Sequence, residues 1–321
     1  MRSMYIMRRL TVCLGLVLGL WTSSAAAQRM IAIASIFPVA DMVQQVGGER
    51  WEVLTLLPAG ASAHTYEPTP EQVRQLARAS VSFQIGLGLE FWLEKLVRAA
   101  KNPALVNVDL STEVETIPTP SPELPQKGVR RANTHRQEHS LKEDAYAHRH
   151  EGPDAHYWLD PVCMLQVVNR IERELTRLDP EHARLYAERA GRVRADLEQL
   201  HEEIMRRTAG LPNRRFIALH AAWTYFAPRY NLEQAAVIEP SPGREPSPRY
   251  LAGLAQLMRR ERVQAVVIEP QLSTTAAKAL ARETGARVGM MDPYGGPGVP
   301  RRESYADLMR YNVTELVKLL E

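Results

Sequence analysis

From Met30 onward the chain alternates short apolar runs with segments of helical period: MIAIASIFP then VADMVQQVGG, VLTLLP then PEQVRQLARA, SVSFQIG then EFWLEKLVRAA, and ALVNVDL. Apolar runs of strand length separated by amphipathic stretches predict parallel βα units. Gly47 and Gly48 supply a stop for the first helix. The same grammar resumes after Arg214 with RFIALH, AAVI, VQAVVIEP and RVGMM, separated by PSPRYLAGLAQLMRR and TTAAKALARETG, and ESYADLMRYNVTELVKLLE closes the chain as a helix. The pattern predicts an α/β protein of two lobes, each with a mainly parallel sheet flanked by helices.

Two stretches break the alternation. Residues 181–207 are proline-free and dense in charge, with Leu185, Val193, Leu197, Leu200 and Ile204 near one helical stripe. Asp179 is placed to cap this helix, Pro180 suits its first turn, and Gly210 and Pro212 end it. Residues 118–154 lack apolar periodicity and carry Pro118, Pro120, Pro122 and Pro125, then His135, His139, His148 and His150. His-rich tracts of this kind bind metals weakly, because each imidazole is solvated and must be ordered. The expected organisation is an N-terminal lobe over 28–180 holding the 118–154 flexible loop, a linking helix over 181–209, and a C-terminal lobe over 210–321.

The N-terminus lies outside this plan. Arg2, Arg8 and Arg9 precede the apolar run LTVCLGLVLGLW and then SSAAAQ, the layout of a signal peptide over 1–27 cleaved after Ala27. The apolar run is shorter than the roughly 20 residues of a spanning helix. Cleavage changes the charge: the full chain is formally +3 at pH 7, and the first 27 residues hold three arginines and no acid, which leaves the remainder near neutral. Nucleic acid is thereby disfavoured as a partner. Of the two cysteines, Cys13 departs with the signal and Cys163 remains alone, so no disulfide forms within the mature chain. Stability must come from burial, and a mature chain of this length is expected to fold as more than one lobe.

Four residues stand out as candidate chemistry. His64 (ASAHTYEPTP), His156 (DAHYWLDP), His220 (RFIALH) and Asp292 (GMMDPYGG) each lie near the end of an apolar run. Three imidazole nitrogens and one carboxylate are a donor set that closes a tetrahedron around a zinc-like ion.

The strings HTYEPTP, HYWLDP, HAAWTYFAPRYNL, VIEPSPGREPSPRYLAGL, VVIEPQLS and MDPYGG resemble, in order, those of the soluble metal-binding proteins of ABC-type zinc and manganese importers, the cluster A-I solute-binding family. The likeness runs from Met30 to the C-terminus, interrupted mainly by the His/Pro-rich segment. It implies that His64, His156, His220 and Asp292 are the metal ligands and that one long rigid helix joins the lobes. It further implies that Zn2+ is the transported ligand, with Mn2+ or Fe2+ as alternatives, and that the partner is a cognate ABC membrane permease. Members with Glu at the position of His220 are typically manganese binders, and nitrogen there favours zinc. The resemblance also implies a periplasmic monomer that is not an enzyme, whose His-rich loop (His135, His139, His148, His150) collects metal. A surface adhesin or zinc-buffering protein on the same fold, and a zinc hydrolase, are the rivals.

Glu67 and Glu269 are candidates to orient a ligand's second nitrogen. His182 and His201 read as a solvated helix face, Glu239 as loop structure, Trp158, Trp223 and Tyr225 as packing, and Cys163 as a small buried hydrophobe. No GxSxG, HExxH, P-loop or GxGxxG signature supports an enzyme.

Overall fold

The computed structural model describes residues 29–119 and 152–321. The expected signal peptide over 1–27 and the four loop histidines lie outside the described residues. The first sheet comprises β1 (Met30–Ala34), β2 (Trp51–Thr55), β3 (Val81–Gln84) and β4 (Val106–Asp109), all parallel in the order β2-β1-β3-β4. The second comprises β5 (Arg215–Ala218), β6 (Glu233–Val237), β7 (Ala265–Ile268) and β8 (Arg287–Met290), again parallel, in the order β6-β5-β7-β8. Each sheet reverses its winding direction beside its first strand, and open α/β sheets gather ligands at such a crevice.

In the first lobe α1 (Phe37–Gly47), α2 (Pro70–Arg78) and α3 (Leu93–Ala100) flank the strands, followed by α4 (Pro161–Leu178). The second lobe has the short α6 (Phe226–Arg229), then α7 (Pro248–Glu261), α8 (Thr275–Thr284) and α9 (Tyr305–Leu320). Their starts follow local chemistry. Asp160 accepts from the Val162 N–H ahead of Pro161 in α4, and Ser247 and Ser304 cap α7 and α9 in the same way.

The linking helix is α5 (Ala183–Ala209), 27 residues and so about 40 Å long. Its first turn differs from the sequence reading. Pro180–His182 form a separate 3-10 turn, and Asp179 does not cap α5. The Asp179 carboxylate is instead occupied by Arg50 at 3.2 Å, the Tyr186 hydroxyl at 2.6 Å and His182 Nδ1 at 2.9 Å. The buried stripe is Tyr186, Ala190, Val193, Leu197, Leu200, Ile204 and Thr208; Leu185 falls to its edge because Tyr186 reaches inward to bond Trp51. His182 and His201 are half-buried rather than solvated, paired with Asp179 and with the Tyr230 hydroxyl.

Chain length predicts more than one lobe, and the two lobes share much of one core. One buried cluster runs from Ala32 of β1 through Trp51, Ile171, Leu197 and Trp223 to Leu320 of α9, and α5 packs against α1, α4 and α9 at once. Smaller clusters lie under α2 and α3 and beneath α7 and α8. Trp158, Trp223 and Tyr225 are packed, as expected. Cys163 is buried in the first turn of α4, and burial pushes its thiol up to about 12.

Candidate metal centre

Three loops deliver the histidines. His64 lies between β2 and α2, and the residue before it is fixed by Trp92, whose indole N–H donates to the Ala63 carbonyl at 3.1 Å. His156 opens a 3-10 turn, His156–Leu159, anchored by the fully buried Tyr157, Trp158 and Leu159. His220 comes two residues after β5, where Glu239 N–H bonds the Leu219 carbonyl and prolongs the strand pairing. Asp154 and Glu269 lie beside them, Glu269 directly following β7.

The three rings converge. His156 Nε2 is 3.2 Å from His64 Nε2 and 3.3 Å from His220 Nε2. A tetrahedron with zinc–nitrogen bonds of about 2.0–2.1 Å sets its ligand atoms roughly 3.3–3.4 Å apart. The other ring nitrogens explain why a cation belongs there. His156 Nδ1 is 3.0 Å from Asp154 Oδ1, and His220 Nδ1 lies 2.8 and 2.7 Å from the two oxygens of Glu269. An Nδ1–H given to a carboxylate leaves Nε2 as a bare lone pair in the neutral ring. Two such lone pairs then face each other at 3.3 Å between His156 and His220. A shared cation turns that repulsion into two bonds.

Burial disfavours charge on His220, but Glu269, with Asp154 and Glu239 behind it, raises the pKa above its ordinary 6.5. Burial works to raise Asp154, and His156 outweighs it, holding the Asp154 carboxyl below the usual carboxylate value. The nitrogens open into a cavity of about 450 Å3, mouth included, walled by Leu87, Leu89, Pro153, Ala155, Pro240 and Pro242. Apolar walls exclude water and strengthen bonds between the rings and an ion.

Asp292 stands beside this cluster rather than in it. The three histidines offer ligand atoms all within 4.8 Å of one another, and Asp292 is not of that group. It follows β8, and the next residues, Pro293 and Tyr294, contact Trp158, which in turn lies against His156. Its Oδ2 accepts from Arg302 at 3.0 Å and its Oδ1 from Gln271 at 2.7 Å. Of the two supporting glutamates, Glu269 is on His220, whereas Glu67 is exposed with no partner for its carboxylate among the described residues. Prolines on both sides of Thr69 and an extended backbone turn Glu67 outward. Glu239 is buried and accepts from the Gly243 N–H, a loop-holding role. Sequence reasoning missed Asp154. The signal was available in DAH, because a carboxylate two residues before a histidine can bond both its backbone and its ring, as Asp154 does at 2.8 and 3.0 Å.

Residues 33–319 match the model of the family described as ZnuA: Zinc-uptake complex component A periplasmic. The chain belongs to this family. It is thus a metal-binding solute-binding protein of the ABC-importer class, with the two-lobed α/β fold that goes with it. The high-affinity zinc uptake system protein ZnuA of Bacillus subtilis (strain 168) is 24% identical over 299 residues, covering 92% of this chain and 89% of its own. The manganese-binding lipoprotein MntA of Halalkalibacterium halodurans is 25% identical over 290 residues, covering 89% and 86%. A crystal structure of ZnuA superposes with a TM-score of 0.76 at 29% identity, covering 92% of this chain and all of the other. ZnuA-family relatives therefore carry both zinc and manganese in their names.

Proposed function

We propose that this protein captures Zn2+ between its lobes through His64, His156, His220 and Asp292 and hands it, in the periplasm, to the membrane permease of an ABC importer. The observation that carries this reading is the convergence of three imidazole Nε2 atoms, 3.2 and 3.3 Å apart, with a carboxylate beside the far ring nitrogen of both His156 and His220. Imidazole nitrogen suits zinc better than manganese. A hydrolase would need an open coordination position and a positioned general base, and the two carboxylates nearest the rings are already committed to ring nitrogens. Titration of the metal-free mature protein with zinc against a chelator of known affinity tests the reading. One tight equivalent supports it, and the absence of any tight equivalent overturns it.

Acid should weaken the site. The ligand nitrogens bind only when deprotonated, and Glu269 raises the pKa of His220 above 6.5. Protonation of His220 therefore competes with zinc below that raised value and ceases to compete above it. Chelator competition across pH 5–8 should show affinity flat at the alkaline end and falling as pH drops. Glu269→Gln should move the onset of the fall to lower pH.

The His-rich segment is assigned a collecting role. Its two ends meet in an antiparallel bridge between Pro118 and Pro153, and Thr119 and Pro153 line the cavity mouth. The role assigned to the histidines between these ends is to raise the local zinc concentration. Deleting residues 134–150 should remove weak zinc equivalents and slow capture at scarce zinc, with the tight site kept within a few-fold. Calorimetry of the deletion variant beside the intact protein checks this.

A further inference from the structure

Asp292 is held by an unusually complete set of donors. Its Oδ1 accepts from Gln271 Nε2 at 2.7 Å and from the backbone N–H groups of Tyr294 and Gly295 at 3.0 and 3.1 Å. Its main chain is clamped on both sides by the buried Asn312 of α9, at 2.7 Å each. Only Oδ2 has a single partner, Arg302 Nη1 at 3.0 Å, with the two side chains 16% and 3% exposed. Arg302 is delivered there by the segment between β8 and α9. Gly295 has a φ of +63°, and a Cβ on it would come within 2.7 Å of the Arg302 carbonyl, which also accepts from the Gly296 N–H at 3.0 Å. The guanidinium carbon lies 4.6 Å from the centre of the Tyr311 ring.

This arrangement is incompletely satisfied. Arg302 Nε and Gln271 Oε1 are both buried without a hydrogen-bond partner among the described residues. A buried donor and acceptor left unpaired, one on each side of the same carboxylate, mark a state that a better partner for Oδ2 can displace.

We propose that Arg302 and the ion compete for Asp292 Oδ2, so that the guanidinium is a built-in competitor setting how tightly zinc is held and how fast it is released. The inference rests on Asp292 being the fourth ligand. A carboxylate paired with Arg302 keeps its charge compensated while no ion is bound, and it is not an exposed anion inviting any cation. As zinc engages the three imidazoles, Oδ2 exchanges Arg302 for the metal and the guanidinium slides outward over Tyr311 to water. During release the same cation is at hand to reclaim the carboxylate.

The test is a cycle of variants read by chelator competition and stopped-flow release. Arg302→Gln should bind zinc about tenfold tighter and release it more slowly, the expected size for loss of a charge-assisted bond that competes with the metal. Arg302→Lys should restore much of the wild-type release rate. Asp292→Asn should weaken zinc, and adding Arg302→Gln to it should change nothing further, because the two act through one oxygen. Tyr311→Leu, which removes the ring behind the guanidinium, should shift release in the same direction as Arg302→Gln and serves if that variant does not fold. Unchanged or weaker affinity in Arg302→Gln, with Asp292→Asn impaired, overturns the competitor role and leaves the ligand set standing. Full affinity in Asp292→Asn overturns both.

Discussion

His156→Ala is expected to lower zinc affinity by two to three powers of ten and to remove most of the thermal stabilisation that zinc confers. Structural zinc sites are worth about 10–16 kcal/mol, so one of four ligands accounts for roughly 3–4 kcal/mol, or two to three decades in affinity. His156 is the most exposed to this test, because its Nε2 is the one within 3.3 Å of both other rings. Wild-type protein in zinc at a thousand times its dissociation constant gains about 4 kcal/mol, a rise of roughly 5–10 °C in melting temperature for a chain of this size. The variant should show little of that rise. Its apo fold should survive, since Asp154 keeps the backbone N–H of residue 156 as a partner and Thr224 adds a second. Asp154→Asn should be milder, about 10–100-fold in affinity, because it frees the ring orientation without removing a donor. Retention of wild-type affinity by His156→Ala would contradict the ligand assignment.

The second large effect concerns which metal is held. Zinc should outcompete manganese by orders of magnitude in direct competition, following the order of divalent affinities and the imidazole preference. His220→Glu should narrow that ratio sharply. The single variant carries a complication visible in the geometry: a glutamate at 220 faces Glu269, now within 3 Å of the His220 ring, and like charges at that range raise a carboxyl pKa. The double variant His220→Glu with Glu269→Gln should bind manganese better than the single one. Manganese binding equal to or tighter than zinc in the wild type would defeat the zinc assignment.

The sheets were legible because their central strands are largely buried and read as apolar runs, as in MIAIA of β1 and AVVI of β7, while the more exposed edge strands keep enough apolar positions to continue the alternation. His220 was legible because strand ends in parallel sheets are where ligands gather, and all three histidines lay in strings that carried the family likeness. What escaped was pairing at a distance. Nothing in the sequence near Asp179 announces that Arg50, 129 residues earlier, and Tyr186 will claim its carboxylate and leave α5 to start later. Glu67, three residues from His64, and Glu269, 49 residues from His220, were equal candidates to orient a ring, and the sheet places only Glu269 at one. Local spacing misleads where strand adjacency decides. Asp292 illustrates the other limit: its position was readable, but its engagement with Arg302 depends on how residues 295–302 fold back.

The apolar cluster that threads α1, α4, α5 and α9 makes the two sheets parts of one cooperative unit. Heating should therefore melt them together in a single calorimetric peak, and swinging one sheet widely away from the other would mean tearing the same interior that keeps the chain folded. Cargo status cannot then be broadcast as a gross change of shape. A transporter that must tell a charged carrier from an empty one has only the rim of the cavity to read, and the recognition code is to be sought in the few residues there whose posture differs with and without the ion.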